Sequence, residues 1–234
     1  MIVELRDVEV GYAHRKVITG LSKEFKEGVY VIIGHNGAGK TTLLKAIAGI
    51  VKPSKGVVLI DGVNIAKASR REAAKLVGYV WQNPYYGFVE PRVIDELSLI
   101  LRLTGLKGDW SIVELLMGPE LYYRNPFTLS GGEAKRVSIA SVLIADQPVW
   151  LLDEPFDYLD GEGVRAVMKL INYGRQRNKV IIVATVNTGF ISALRPNLVI
   201  IMRRGSIVYE APYHELSEAV LNDNNVPPRD LLCG

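Results

Sequence analysis

An α/β fold with a mixed sheet and an inserted helical subdomain is predicted by three features of the sequence. Short apolar runs rich in Val and Ile recur along the chain, and several lack polar alternation, as central strands covered on both faces do. Helical patterns separate many of these runs, so strand and helix alternate. From about residue 91 to residue 145 the pattern is amphipathic helix alone, which predicts a subdomain inserted between two strands of the sheet.

The strand-like runs, in chain order, cover residues 2–8, 29–33, 57–60, 77–80, 149–152, 180–184 and 198–202. The first alternates apolar and polar residues, as a strand with one buried face does. In the inserted segment, "VIDELSLILRL", "WSIVELLM" and "GGEAKRVSIASVLIA" have the helical pattern. We therefore expect one domain over residues 1–234. Its α/β core would cover about 1–90 and 146–221, the helical subdomain about 91–145, and a loosely ordered polar tail 222–234.

The composition is ordinary for a globular protein, with 48% apolar and 23% charged residues. A net charge of +3 without any basic run does not favour a nucleic-acid partner. Cys233 is the single cysteine, which excludes an intrachain disulfide and indicates a reducing compartment. The N-terminus lacks the pattern of a signal peptide, and no stretch of about 18 apolar residues occurs. We expect a soluble protein whose membrane association goes through a partner.

A phosphate-binding loop is predicted at residues 34–42, "GHNGAGKTT", between the strand-like "VYVII" and the helical "LLKAIAG". The loop matches G-x-x-x-x-G-K-[ST], in which glycines let successive backbone N–H groups point at one anion and the following helix adds its dipole. Lys40 is expected to reach the β- and γ-phosphates of a nucleotide, and Thr41 to offer its hydroxyl to Mg²⁺. The residues expected to bind nucleotide here are Gly34, Asn36, Gly37, Ala38, Gly39, Lys40, Thr41 and Thr42.

Two adjacent acids follow the strand-like run "VWLL". Successive side chains diverge at the end of a strand, so Asp153 and Glu154 can take different roles. Asp153 is expected to hold Mg²⁺ through a water, and Glu154 to orient or deprotonate the attacking water. An acid pair after a strand is by itself more often a capped loop, but the phosphate loop upstream favours the catalytic interpretation.

A second anion-binding helix end is predicted at "LSGGE", residues 129–133, inside the helical subdomain. Its serine and glycines leave backbone N–H donors unencumbered at a helix N-terminus. The plainer interpretation is a serine N-cap followed by glycine spacers. One protein rarely needs two anion-binding helix ends unless both face the same phosphate.

In this order and spacing, the motifs resemble those of the ATP-binding cassette (ABC) ATPases over nearly the whole chain. Residues 34–42 match the Walker A loop, 149–154 match Walker B, and 129–133 match the signature, with Glu133 where glutamine is commoner. Gln82 in "YVWQNP" occupies the Q-loop position. In "FDYLD", residues 156–160, Asp160 is the acid of the D-loop. Tyr12 lies where the family stacks an aromatic ring on adenine.

The resemblance implies a P-loop NTPase fold of the ABC type, in which an antiparallel β part lies beside the mixed sheet, and a head-to-tail dimer. In that dimer ATP lies between the Walker A loop of one subunit and the signature of the other, so Ser130, Gly131 and Gly132 would act in trans. Gln82 would begin the loop that senses the γ-phosphate and transmits closure to a membrane partner. The catalytic residues so implied are Lys40, Gln82 and Glu154, and the metal ligands are Thr41, Gln82 and Asp153.

The cofactors implied are ATP and Mg²⁺, and the partners are a second ABC ATPase subunit and transmembrane transporter subunits at the cytoplasmic face of the cell membrane. The stretch "VGYVWQNPYYGFVEPRVIDELSL" is most similar to the ATPases of energy-coupling-factor importers, and "VPP" at residues 226–228 also suits that group. Tyr85, Tyr86 and Phe88 are expected on a loop facing the transmembrane subunit, or else packed on the helical subdomain.

The family's histidine on the elbow after Walker B is replaced by Val186 in "VIIVATVNTGF". Valine has no hydrogen-bond donor for a phosphate oxygen. Three interpretations follow: one degenerate site beside an intact one in a heterodimer, a homodimer that hydrolyses slowly through Glu154 and Lys40, or Asn187 turned inward as a substitute donor. The retained Glu154 favours residual hydrolysis over an inactive site.

Three rival functions compete with an importer ATPase. Soluble cassette ATPases of DNA repair or translation tend to carry tandem cassettes, zinc ligands or long coiled-coil insertions, and the sequence has none of these features. A module that binds ATP and dimerises without turnover is favoured by Val186 and opposed by Glu154. An ATPase of another ABC transporter class, such as an exporter, is the third rival. The sequence does not identify a cargo.

Overall fold

Two sheets organise the chain in the computed structural model, which describes residues 1–13, 15–224 and 226. The first is antiparallel, with the order β2-β1-β4-β5. The second has the order β10-β9-β3-β8-β7-β6 and is parallel except for the β9–β10 pair. The strands are β1 Val3–Tyr12, β2 Arg15–Phe25, β3 Gly28–Ile33, β4 Lys55–Ile60, β5 Val63–Asn64, β6 Val77–Val80, β7 Val149–Asp153, β8 Val180–Thr185, β9 Leu198–Arg203 and β10 Ser206–Ala211.

Helices cover both faces of the parallel strands and fill the segment between β6 and β7. They are α1 Lys40–Ile47, α2 Arg70–Leu76, α3 Val93–Thr104, α4 Trp110–Leu116, α5 Gly131–Leu143, α6 Gly161–Gln176, α7 Ile191–Leu194 and α8 Glu218–Asp223. The three helical stretches predicted between residues 91 and 145 correspond to α3, α4 and α5. No helix in the described part of the chain is both long and apolar enough to cross a membrane.

Each of the seven predicted strands overlaps an observed one, and β2, β5 and β10 were not predicted. In β2 the buried apolar residues are Ile18, Leu21 and Phe25, whose spacing of three and four does not match the period of a strand. Register shifts in the β1–β2 pair account for this spacing, because a bulge changes which face a residue occupies. The two-residue β5 is too short to carry a pattern, and β10 is an edge strand with one buried residue and no regular alternation of burial.

The absence of polar alternation in the central strands has a direct cause in the packing. Val29, Val31 and Ile33 of β3 belong to a core shared with α3, α4, α5 and α6, whereas Tyr30 and Ile32 belong to a second core shared with α1 and the antiparallel sheet. Because both faces of β3 are buried, every position is apolar. The predicted α/β class with a mixed sheet is confirmed by this architecture.

The C-terminal end differs in part from the expected loose tail. Helix α8 extends to Asp223, two residues into the segment predicted as polar tail, and Ser217 caps its N-terminus. Val226 is buried against the larger core. His14, Cys233 and the two prolines of "VPP" lie outside the described residues. The proposed division into an α/β core, a helical subdomain and a tail stays a prediction.

We expect Gly174→Ala to lower the free energy of unfolding by about 1–3 kcal/mol, as overpacking of a core does. A Cβ atom at Gly174 of α6 would lie 2.5 Å from the ring of Trp150 and 2.8 Å from Ile181, and both side chains are fully buried. Denaturant unfolding measures the effect. Gly161→Ala in the same helix is the control, since its nearest neighbour is the Arg165 guanidinium at 3.5 Å. Equal stability of the two variants would contradict the packing argument.

Candidate functional site

The candidate site lies where neighbouring parallel strands end. Because β3, β8, β7 and β6 are adjacent and parallel, their carboxyl ends meet at one edge of the sheet, where α/β folds bind ligands. The phosphate loop follows β3, Asp153 ends β7, Thr185 ends β8, and Gln82 lies two residues after β6. The fold thus brings together residues that are more than 100 positions apart in the chain.

The backbone of the phosphate loop requires glycine. Gly34, Gly37 and Gly39 have φ values of 152°, 80° and 106°, in the left-handed range that side chains disfavour. A Cβ atom at Gly34 would lie 2.3 Å from the carbonyl oxygen of Met202, whereas no atom lies within 4 Å of one at Gly37. Gly39 is the N-cap of α1, so the positive end of the helix dipole faces the loop. The loop therefore forms an open cradle for an anion.

Lys40 lies inside this cradle rather than in solvent. Its ammonium donates to the carbonyl oxygens of Gly34 at 2.6 Å and His35 at 3.4 Å, and it lies 3.9 Å from Oε1 of Glu154. Burial lowers the pKa of Lys40, and the charges of Glu154 and Asp153 partly oppose that shift. The cation is held at the centre of the loop, beside the two acids that end β7.

Asp153 is oriented by a tyrosine. The Tyr79 hydroxyl donates to Oδ2 of Asp153 at 3.0 Å, while Oδ1 is buried without a hydrogen-bond partner of standard geometry among the described residues. Burial raises the pKa of Asp153, whereas the nearby Thr41 hydroxyl and Tyr79 lower it. Burial also raises the pKa of Tyr79, which keeps its hydroxyl protonated as a donor. Oδ1 of Asp153 is an acceptor suited to a water bound to a hard cation.

Glu154 occupies a constrained position directly after β7. Its φ is +44°, in the left-handed region, and its backbone N–H donates to the carbonyl oxygen of Ala184 at 2.9 Å. Burial raises the pKa of Glu154, while the Thr185 hydroxyl and the charge of Lys40 lower it. A raised carboxyl pKa beside a phosphate site is what a general base requires.

Gln82 is held by an acid of the D-loop. Its side-chain amide donates to Oδ2 of Asp157 at 3.3 Å, and its side chain is exposed at the rim of the cleft. Asp157 was not among the site residues predicted from the sequence. No periodic pattern could have revealed this contact, because it joins two loops that are 75 residues apart.

Most of the predicted nucleotide and catalytic residues line one cleft of about 660 Å³, whereas Gly34, Ser130, Gly131, Gly132, Asp153 and Asp160 do not. Those that line it are Tyr12, Asn36, Gly37, Ala38, Gly39, Lys40, Thr41, Thr42, Gln82 and Glu154. The cleft also has four lining residues that the sequence analysis missed: Arg15, Lys16, Val17 and Arg204. The first three follow Tyr12 across the β1–β2 hairpin and could have been found from it, whereas Arg204 comes from the distant β9–β10 turn. Three of the four are cationic, which suits a polyphosphate ligand.

The signature segment, residues 129–133, lies outside this cleft. Ser130 is exposed and caps α5, and it forms a capping box with Glu133. The Glu133 carboxylate accepts from the Ser130 N–H at 2.8 Å and from Arg124 at 3.0 Å, and the first of these lowers the pKa of Glu133. Gly131 and Gly132 are half-buried. Glu133 is thus bound to its own helix end, and the N–H groups of Gly131 and Gly132 belong to the first turn of α5, which has no intrahelical acceptors for them.

Asp160 also lies apart from the cleft. Its side chain caps α6 by accepting from the N–H of Gly163 at 2.8 Å. Tyr158 in the same D-loop is 58% exposed and has a positive φ of 69°, and the Gly131 backbone packs beside it. The D-loop and the signature segment therefore share one surface of the molecule.

The elbow after β8 places Val186 and Asn187 outside the cleft lining. The Asn187 side-chain oxygen accepts from the Gly189 N–H at 2.8 Å, and the backbone N–H of Asn187 donates to the Thr185 hydroxyl at 3.0 Å. This Asx turn fixes Asn187 in the elbow. Asn187 does not line the cleft in this conformation, and its role as a substitute donor stays a prediction.

Of the two alternatives for the three aromatic residues near Gln82, packing on the helical subdomain holds for two of them. Phe88 is buried, and Tyr85 is half-buried with its hydroxyl directed to the carbonyl oxygen of Leu129 at 3.3 Å. Both rings pack on the helical subdomain, in contact with each other. Tyr86 remains, with 73% of its surface exposed, and the neighbouring Val89 is 71% exposed.

Comparisons with known proteins agree on one family. Residues 18–157 match the ABC transporter family. A protein of Pyrococcus furiosus, which carries the provisional name ABC transporter ATP-binding protein, is 34% identical over 226 residues, covering 93% of this chain and 86% of its own. The energy-coupling factor transporter ATP-binding protein of Mycoplasma mobile is 31% identical over 216 residues, covering 88% of this chain and 78% of its own.

Solved structures give the same fold. An ATP-binding cassette determined as a dimer in a post-hydrolysis state with ADP and Pi superposes with a TM-score of 0.79 at 22% identity, covering 90% of this chain and 98% of its own. The cbiO1 protein of Clostridium perfringens, part of the ABC transporter complex cbiONQ, superposes with a TM-score of 0.73 at 26% identity, covering 90% of this chain and 88% of its own.

Proposed function

This chain belongs to the ABC transporter family of ATP-binding proteins, and on that premise we propose that it is the ATP-hydrolysing subunit of an energy-coupling-factor type importer. The observation that carries the proposal is the junction of Lys40, Glu154 and Asp153 at the phosphate loop, where a cation and two acids meet in one buried cluster. Hydrolysis needs a group that binds the transferred phosphate and a base that acts on water, and this cluster contains both kinds.

ATP would bind with its adenine on the half-exposed ring of Tyr12 and its phosphates in the glycine cradle. The N–H groups at the start of α1 would donate to the β- and γ-phosphates. Lys40 would exchange its contact with the Gly34 carbonyl for a phosphate oxygen, since an ammonium binds a charged acceptor more strongly than a carbonyl. Arg15, Lys16 and Arg204 would add positive charge along the cleft.

Mg²⁺ fits the acceptors of this cleft. The buried Oδ1 of Asp153, the Thr41 hydroxyl and the Gln82 amide oxygen are oxygen ligands, which Mg²⁺ prefers, and the nucleotide phosphates would complete its coordination. When bound, Mg²⁺ neutralises charge on the phosphates. Gln82 would contribute its Oε1, while its Nε2 is the atom that donates to Asp157.

Glu154 would hold and deprotonate the attacking water. Its carboxylate lies 3.9 Å from the Lys40 ammonium, so a water bound to it would be close to a phosphate held by Lys40. The hydrogen bond from its backbone to Ala184 and the nearby Thr185 hydroxyl would keep this carboxylate in one orientation.

The dimer would be head to tail, with Ser130, Gly131 and Gly132 of one subunit closing the cleft of the other. The exposed end of α5 and the adjacent Tyr158 support this arrangement, as does the dimeric state of the ADP-bound cassette of the same fold. Asp160 would act at this interface by holding the D-loop through its cap on α6. Homodimer and heterodimer are both compatible with these observations.

The transporter class rests on relatives that are named energy-coupling factor transporter ATP-binding proteins and on the cbiO1 fold. The exposed Tyr86 and Val89 would contact a transmembrane subunit at the cytoplasmic face of the membrane. A cavity of about 240 Å³ beside them, lined by Trp81, Leu99 and Leu103 among others, could receive an apolar side chain of that subunit.

The test is Mg·ATP hydrolysis by the purified chain, with light scattering in the presence of ATP to detect dimers. Turnover together with ATP-dependent dimerisation is the expected result. Dimerisation without turnover would support the second candidate, a degenerate ATP-binding subunit. The observation that favours this candidate is Val186 at the position of the family's histidine. The absence of both would reject the proposal for the isolated chain.

We expect Tyr79→Phe to weaken Mg²⁺ activation by about 10–100-fold, because the partner that orients a metal ligand typically has an effect of this size. Without the Tyr79 hydroxyl, Oδ2 of Asp153 would lose this donor, and the carboxylate would rotate more freely. The measurement is the Mg²⁺ concentration for half-maximal turnover at fixed ATP. Tyr30→Phe is the matched control, since its buried hydroxyl accepts from Lys26 away from the cleft. An unchanged Mg²⁺ requirement would show that Tyr79 does not orient Asp153.

A further inference from the structure

A fully buried lysine joins three functional segments and is not used in the mechanism above. Lys135 lies on α5, five residues after Ser130, and has no exposed surface. Its ammonium donates to the carbonyl oxygens of Trp81 at 3.0 Å, Gln82 at 2.9 Å and Asp153 at 3.5 Å. A single side chain thus connects the signature helix to the backbone of the Q-loop and to the end of β7.

Burying this charge is costly, which argues against a chance arrangement. Burial lowers the pKa of Lys135 to about 8, and Asp157, Asp153 and Glu154 oppose the shift only through space. The three hydrogen bonds go to backbone carbonyls, so they constrain the path of the main chain rather than the rotamer of a neighbour. A lysine whose only role was packing would be replaced at less cost by an apolar residue.

The geometry points to Lys135 as a positioning residue, which ties the signature helix to the Q-loop and to the end of β7 so that these segments move together. The inference rests on the proposed ATPase function. The signature end of α5 would act on the ATP of the partner subunit, whereas Gln82 and Asp153 act on the ATP bound in their own subunit. Through Lys135, a shift of α5 on dimer closure would reach the backbone of the Q-loop and of Asp153.

A second buried lysine provides a matched control. Lys179 is 5% exposed, and its ammonium donates to the carbonyl oxygens of Asp146 and Gln147, both at 2.9 Å. It lies directly before β8, at the end of the sheet opposite to the cleft. Lys179→Met therefore removes a buried ammonium and its hydrogen bonds to two backbone carbonyls, where Lys135→Met removes three, and it does not touch the Q-loop. It also removes the ion pair of Lys179 with Oδ1 of Asp146 at 2.8 Å.

The first measurement requires no nucleotide. Trp81 directly precedes Gln82, so its fluorescence reports on the Q-loop. To remove the signal of Trp110 and Trp150, each variant is also made with Trp81→Phe, and the fluorescence of this second protein is subtracted from that of the first. We expect acrylamide to quench Trp81 more strongly in Lys135→Met than in the parent chain, because the Trp81 carbonyl has lost its donor. Lys179→Met should leave this quenching unchanged while lowering the melting temperature.

The second measurement separates kcat from KM. In Lys135→Met we expect kcat for ATP hydrolysis to fall about 10²-fold with little change in KM, because a small misplacement of catalytic groups costs that much while the cradle still binds ATP. Lys135→Arg, which keeps the charge and the donors, should recover a large part of the loss. Equal quenching and equal kcat in Lys135→Met and Lys179→Met would overturn the inference. Absence of hydrolysis in the parent chain would instead reject the proposed function, and the quenching measurement would still decide whether Lys135 holds the Q-loop.

Discussion

Replacing Glu154 by Gln is expected to lower the rate of ATP hydrolysis by about 10²–10⁴-fold, the usual contribution of a general base, while ATP binding is retained. Glutamine keeps the size of the side chain but cannot accept the proton of the attacking water. The cradle glycines and Tyr12, which would bind most of the nucleotide, are unaffected by the change. The amide also removes the negative charge 3.9 Å from Lys40, so ATP affinity should stay equal or increase.

The measurement combines steady-state turnover with binding of a fluorescent ATP analogue and with light scattering. Because hydrolysis would separate the subunits, the variant should accumulate as an ATP-bound dimer. Glu162→Gln is the control, since Glu162 is an exposed acid in the first turn of α6. If Glu154→Gln kept the turnover of the control, another group would have to act as base and the proposed mechanism would be wrong.

The sequence could predict those parts of the site that depend on local backbone. The glycine cradle is contiguous in the chain, and its function follows from φ values that only glycine adopts easily. Asp153 and Glu154 were found because a buried strand that ends in two acids conflicts with its own apolar pattern. The α/β class could also be predicted locally. Segments with a helical period alternate along the chain with apolar runs that lack polar alternation, which is typical of strands buried on both faces.

Contacts between segments that are distant in the chain could not be predicted from local sequence patterns. Tyr79 occupies an ordinary strand position, and only the parallel pairing of β6 with β7 brings its hydroxyl to Asp153. Lys135 has the position of a polar residue in an amphipathic helix, where a solvated side chain is the usual outcome. The burial of Tyr85 and Phe88 could not be decided from the sequence either, because a neighbouring subdomain that the local sequence does not reveal can bury aromatic residues of a loop.

Introducing a histidine at Val186 is expected to raise turnover, by up to about 10²–10³-fold, which is the typical contribution of one donor aimed at developing charge. The pairing of the strands gives the geometric reason. Thr185 lies opposite Ile33, the residue before Gly34, and Ala184 lies opposite Asp153. Position 186 therefore continues β8 beside the start of the phosphate loop, where a longer side chain with an N–H group could reach the γ-phosphate. The half-buried Val186 itself has no such group.

The design needs a variant that adds a ring without a donor, and Val186→Phe serves that purpose. We expect Val186→His to exceed both Val186→Phe and the parent chain in kcat, and the gain to disappear when Glu154→Gln is added. A gain in both ring variants would indicate that packing at the elbow limits the rate rather than the missing donor. No gain in either would mean that Lys40 and Glu154 suffice, so that the replacement of histidine by Val186 is not what limits hydrolysis in this chain.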